Sequence, residues 1–202
     1  MAENIRECVV SRDSGFTLLE LIIVIALAGV FVTMAVVSYR TSIDSSNVSA
    51  EVDSLSTDLA YARSEAVRQG LNVVVCSTTD GATCNNASSW ASGWLVMLPT
   101  GGGCTVSSGL TAATILRRTP ALTSLDSISL SYATGSSTSN AVCYSRLGTA
   151  NLGASGNVVK FSITATAGVS SPSQFNKQCI FVANAGPLHV VRYGVTDSVG
   201  SC

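Results

Sequence analysis

The sequence predicts an α+β chain in which one long N-terminal helix leads into a β-rich head. Three observations carry that expectation. An apolar run from Phe16 to Tyr39 holds one charge, Glu20. A polar stretch with a helical apolar stripe follows it, and no proline interrupts either part. From Leu71 onward the apolar runs shorten or alternate, separated by Gly, Ser, Asn and Asp.

The apolar run, 16–39, is read as a membrane-spanning helix. At about 1.5 Å per residue it reaches roughly 36 Å, against a hydrocarbon core of about 30 Å. An ordinary anchor would omit a carboxylate, because an ionised group in a membrane helix costs on the order of 3 kcal/mol at the centre and less near the edge. Glu20 is therefore expected to meet a partner cation. The charged residues of 1–15 precede the run, and Gly15 stands at the junction. A secretory signal has the opposite order, with its apolar stretch upstream of the cleavage site. Cutting after Gly15 would remove the polar leader and keep the helix, leaving the amine of Phe16 four residues from Glu20. A single-span anchor whose Glu20 merely suits the helix macrodipole is the plainer reading.

The helix continues over 40–70 in a different character. Val48, Val52, Leu55, Leu59, Ala62 and Ala66 recur at helical spacing and predict one face packed on a core. Asp44, Glu51, Asp53, Asp58, Arg63, Glu65 and Arg68 fall largely on other faces. Gly70, after the basic Arg68, is a natural stop.

The remainder, 71–202, is large enough to bury a core of its own. Strands are expected at Leu71–Cys76, Trp94–Leu98, Thr114–Arg118, Ser127–Tyr132, Ala141–Ser145, Val158–Thr164, Cys179–Ala183 and Leu188–Tyr193, forming antiparallel sheets over the second half of the helix. Turn residues lie at Thr79–Gly81, Gly101–Gly103, Gly135–Ser137 and 153–156. The Ser/Thr-rich stretch 134–140 reads as an exposed loop.

Of seven cysteines, Cys8 lies in the leader and six lie in the head. In a chain with only 11% charged residues and a Ser-rich head, that set reads as a disulfide framework formed in an oxidising compartment. Six cysteines leave fifteen pairings open. Cys76–Cys84 flank a short turn and could staple a hairpin, Cys179–Cys202 would tie down the last strands, and Cys104–Cys143 remain. No metal site or cofactor is expected: there is no Cys-x-x-Cys, and His189 has no ligand-spaced neighbour.

Gly15-Phe16-Thr17-Leu18-Leu19-Glu20, followed by an apolar helix, resembles the processing junction of type IV pilins and type II secretion pseudopilins. The series Leu59-Ala60-Tyr61-Ala62-Arg63-Ser64-Glu65-Ala66-Val67, Val73–Cys76, Asp80-Gly81, Cys84, Trp90 and Gly93-Trp94 is similar to the GspH/FimT/FimU group of minor pilins and pseudopilins. The resemblance implies the type IV pilin fold. It implies cleavage by a prepilin peptidase between Gly15 and Phe16, N-methylation of Phe16, and a subunit-assembly role for Glu20. A membrane-held protein with a periplasmic head follows, later part of a pilus or pseudopilus. The implied partners are other minor pilins, the major pilin, the peptidase and the inner-membrane assembly platform. The FimU kind of minor pilin, which primes assembly and joins a tip complex, is the expected function, and the secretion pseudopilin of the H kind shares every motif.

A DNA-receptor branch of the same group carries a Gly-Arg-x-Arg loop. Here the corresponding Gly186-Pro187-Leu188-His189 lacks both arginines, which removes the bidentate phosphate contacts. Arg117, Arg118 and Arg192 are the candidate DNA contacts, too scattered for strong phosphate binding. No enzyme is expected. His189 is the sole imidazole, and no Gly-x-Ser-x-Gly, His-Glu-x-x-His or phosphate loop occurs. Trp90 and Trp94 read as core or turn packing beside the Cys76–Cys84 hairpin, more than as a ligand platform.

Overall fold

A computed structural model describes residues 15–104, 109–122, 126–135, 137, 139–152, 157–165, 176–185, 187–198 and 200–202, with the side chains of 34–41 and 197 outside the description. The leader up to residue 14 with Cys8, the turn at 153–156, Ser136 and Gly186 fall outside the described residues.

Among the described residues one helix, α1 (Leu18–Gln69), precedes twelve strands. The chain divides into two compact units, Met1–Arg40 and Thr41–Cys202. In the first, α1 starts at a Thr17 cap, and the side chains from Phe16 to Val32 lie exposed, Leu18 at 76% and Ile22 at 53%. Among the described residues no helix is long and apolar enough to cross a membrane; the expected run, 16–39, is described in its side chains only as far as Thr33.

In the second unit α1 runs to Gln69 and stops at Gly70, whose φ of 67° is the left-handed geometry of a helix C-terminal glycine. The strands that follow are β1 (Val73–Ser77), β2 (Thr83–Cys84), β3 (Trp94–Pro99), β4 (Leu110–Thr119), β5 (Ser127–Thr134) and β6 (Ala141–Tyr144). Then come β7 (Ala150–Asn151), β8 (Val158–Thr164), β9 (Lys177–Ala183), β10 (Leu188–Arg192), β11 (Thr196–Asp197) and β12 (Gly200–Ser201). They form a six-stranded antiparallel sheet in the order β2-β4-β3-β1-β6-β7, a four-stranded antiparallel sheet β10-β9-β8-β5, and the β11–β12 pair. This is the α+β arrangement expected from the sequence, one long helix and antiparallel sheets.

The helical stripe is the core face. Val48, Leu55, Leu59, Ala62 and Ala66 are fully buried and Val52 nearly so, in one cluster with Val73, Val75, Trp90, Trp94, Phe161, Ile180 and Val182. Strand parity sorts the rest. On β8, Val159, Phe161 and Ile163 turn to the core while alternate residues are half-buried. On β1, Val73 and Val75 face the helix, whereas Val74 and Cys76 face a second cluster with Cys84, Leu95, Met97 and Cys143. A strand buried on both faces explains the unbroken Val73-Val74-Val75-Cys76 run.

Disulfides join Cys76 to Cys84, Cys104 to Cys143 and Cys179 to Cys202. The Cys76–Cys84 bridge does not close a hairpin. β2 pairs with β4 and not with β1, so the bridge links strands that lie apart in the sheet order. Trp90 and Trp94 lie in the core shared with α1, the first of the two packing roles expected of them; Trp90 meets Phe161 edge-on at 4.8 Å. The strand expected at Thr114–Arg118 is the second half of β4. Its Ala-rich beginning is held in the sheet by pairing with β2 and β3.

Candidate functional site

The N-terminal junction is built by its own local chemistry. Thr17 is the N-cap: its Oγ1 accepts the backbone N–H of Glu20 at 3.2 Å, and its carbonyl accepts the N–H of Leu21. Glu20 thus stands in the first turn, where the unpaired N–H groups favour a negative charge. Around it Leu18, Leu19 and Leu21 are exposed, so this stretch offers a carboxylate among uncovered aliphatic side chains. Gly15 is exposed with open space about its Cα, and Phe16 is 83% exposed.

In the head, α1 is fastened to the six-stranded sheet by Asp58. One carboxylate oxygen accepts Arg117 Nη1 at 2.6 Å; the other accepts Trp94 Nε1 and Thr119 Oγ1, each at 2.8 Å. The Arg117 guanidinium lies 4.2 Å from the centre of the Tyr61 ring. Periodicity alone left Asp58 on a face away from the core, yet its side chain is 5% exposed. Glu65, nearer the end of the helix, binds Arg68 and Gln69, and the Arg68 hydrogen bonds hold its carboxyl below the usual range.

The candidate DNA contacts do not form one surface. Arg117 is neutralised by Asp58, Arg118 is exposed with its side chain against Gly81, and Arg192 lies on β10 of the other sheet. The Thr78–Thr83 turn is ordered by Asp80, which accepts the N–H groups of Ala82 and Thr83 and the hydroxyls of Thr78 and Thr83. Those bonds, the backbone ones foremost, hold its carboxyl well below the usual range. Among the described residues no three potential metal ligands gather.

A capped helix start with an acid in an apolar stretch, followed by a helix-on-sheet head, defines a subunit of the pilin and pseudopilin class. The chain belongs to the family described as type II transport protein GspH, which matches residues 51–186. The prokaryotic N-terminal methylation motif matches residues 10–36. Among solved structures, the type IV minor pilin FimU of Pseudomonas aeruginosa is similar at 18% identity and a TM-score of 0.50, over 71% of this chain and 87% of FimU. The minor pseudopilin EpsH from the type 2 secretion system of Vibrio cholerae is similar at 12% identity and a TM-score of 0.45, over 74% of this chain and 99% of EpsH. Among curated proteins none matches the sequence.

Proposed function

We propose that the chain is a low-abundance minor pilin that primes type IV pilus assembly and joins a tip complex. Prepilin peptidase cuts between Gly15 and Phe16, and the new amine of Phe16 is methylated. Residues 16–39 hold the protein in the inner membrane and later lie in the filament core, while 40–70 continue the helix into the periplasmic head, 71–202. Other minor pilins, the major pilin and the assembly platform are its partners. The protein acts by assembly and not by catalysis.

The observation that carries this reading is Glu20, an acid in the first turn of α1 with exposed leucines on either side. In lipid the carboxylate is costly, and the Phe16 amine of a neighbouring subunit relieves that cost. Extraction from the membrane and subunit register are thereby coupled. Glu20→Ala is expected to insert normally and fail to enter filaments; normal pilus number and normal recovery of the variant with filaments would refute the reading. Replacing Gly15 should leave the leader attached, seen as an uncut N-terminus by mass spectrometry.

The secretion pseudopilin is the second reading, favoured by the description of the family matched over 51–186. Recovery of the chain with secretion-system components in place of pilus components would select it. A DNA receptor is the weakest reading, since the Asp58 pair takes Arg117 out of the set of available cations.

A further inference from the structure

The outward face of the four-stranded sheet carries one disulfide, Cys179–Cys202, beside two cations. On β9, Ile180 and Val182 turn to the α1 core, so Lys177, Cys179 and Phe181 share the opposite face. On β8, Lys160 and Ser162 lie on that same face, since Val159, Phe161 and Ile163 take the core side. Register sets Ser162 directly across from Cys179, and the two side chains meet at 3.8 Å. Lys177 is the next residue on this face of β9, and Lys160 stands diagonally across, within reach of a long side chain. Neither lysine pairs with a carboxylate among the described residues. Burial, and then the Lys160 charge, push the Lys177 ammonium below its ordinary pKa; the two cations lie close together.

The other two bridges have different surroundings. Cys76, Cys84 and Cys143 are buried with Val74, Leu95 and Met97, and Cys104 packs against the same cluster. Apolar surroundings of that kind disfavour a thiolate, whereas adjacent lysines favour one. Cys179 is fully buried and Cys202 partly exposed, so an attacking thiol reaches the bridge at Cys202. Among the described residues the closing strands β11 and β12 pair with each other and with no strand of the larger sheets. Gly200 rests against the Phe181 ring, and Cys202 packs on the cluster of Cys179, Phe181 and Val191.

We propose that Cys179–Cys202 is a reversible thiol–disulfide exchange site, opened by a dithiol that attacks Cys202. The thiolate of the dithiol bonds to Cys202 Sγ, the Cys179–Cys202 bond breaks, and Cys179 leaves as a thiolate. The Lys160 and Lys177 ammoniums and the Ser162 hydroxyl stabilise that leaving group. The second thiol of the donor then displaces Cys202 from the mixed disulfide. The donor ends as a disulfide, having given up two electrons, and its two thiol protons pass to Cys179 and Cys202. With the bridge open, no sheet pairing holds β11 and β12 in place, and Phe181 and Val191 are uncovered. A disulfide donor runs the exchange backwards and closes the strap.

The test treats the detergent-solubilised full chain with dithiothreitol under native conditions and follows each thiol by differential alkylation and peptide mass spectrometry. Cys179 and Cys202 should become labelled roughly tenfold faster than Cys76, Cys84, Cys104 or Cys143. The opened protein should keep its sheet circular dichroism and bind more of an apolar fluorescent dye, and oxidised glutathione should reverse the gain. Lys160→Gln combined with Lys177→Gln should slow the opening roughly threefold or more, and the corresponding Arg pair should keep the wild-type rate. A purely structural role for the lysines gives the opposite sign, because losing the Lys177 contact with the Tyr193 ring loosens the strap and speeds reduction. Equal labelling of all six head cysteines, or earlier labelling at Cys104–Cys143, would overturn the proposal. So would a Gln pair that opens as fast as the wild type or faster, or an opened bridge with no gain in dye binding. The order of labelling in the wild type tests the site without any variant.

Discussion

Asp58 on α1 and Arg117 on β4 meet at 2.6 Å across 59 residues of chain, and the same carboxylate also holds Trp94 and Thr119. One side chain thus anchors the helix to two neighbouring strands. Asp58 is 5% exposed and Arg117 is 42% exposed, so the two are not equivalent. Removing Asp58 strands the buried Trp94 N–H but lets Arg117 hydrate. Asp58→Ala is expected to lower stability by about 2–4 kcal/mol. Arg117→Met should cost less, about 1–2 kcal/mol, because water already screens the guanidinium. Urea unfolding of the detergent-solubilised full chain, followed by tryptophan fluorescence, checks both values.

The Thr78–Thr83 turn predicts a specific acid sensitivity. Asp80 is held below its ordinary value of 3.8 by the backbone N–H groups of Ala82 and Thr83. A depressed folded-state pKa gives stability that is present above the unfolded value and is lost as pH falls through the folded one. Unfolding midpoints measured from pH 6 downward, in steps of about one unit, should fall more steeply in the wild type than in Asp80→Asn once pH drops below about 4. Parallel curves would show that Asp80 contributes nothing to acid stability.

The three disulfides should contribute unequally. Cys76–Cys84 spans 8 residues, Cys179–Cys202 spans 23 and Cys104–Cys143 spans 39. Loop-closure entropy then predicts losses of about 2.5, 3.4 and 4 kcal/mol when each pair is replaced by alanine. Non-reducing peptide mapping tests the pairing itself, and denaturant titration of the paired variants tests the order.

Gly93 cannot carry a side chain. Its φ is 107°, and an added Cβ would lie 2.6 Å from the Thr119 carbonyl oxygen and 2.9 Å from the Pro120 carbonyl carbon. Gly93→Ala should therefore cost more than the conformational strain alone, at least about 2 kcal/mol, and displace the start of β3. Thermal unfolding of this variant beside Gly101→Ala, where φ is 83° but nothing crowds the site, separates strain from collision.

Much of the fold was legible because its signals are local and periodic. Val48, Val52, Leu55, Leu59, Ala62 and Ala66 sit at helical spacing and are all buried, and Val159, Phe161 and Ile163 alternate as a half-buried strand must. The two-residue strands β2, β7, β11 and β12 were not legible, since two residues carry no period. Within the candidate site, Thr17 followed three residues later by Glu20 is a readable helix-start signature. The meeting of Lys160 with Lys177 and Cys179 had no signal at all, because the pairing of β8 with β9 makes it.

The amino-acid order by itself determined the helix, its core-facing stripe, the strand-rich head and the acid in the apolar run, since each depends on neighbours within a few residues. Tertiary structure alone decided that Asp58 is buried and that Cys76–Cys84 links strands that do not pair. It also leaves the buried Tyr144 hydroxyl without a hydrogen-bond partner among the described residues. The physical reason is range: a carboxylate can leave water only where donors converge on it, and those of Asp58 come from β3 and β4.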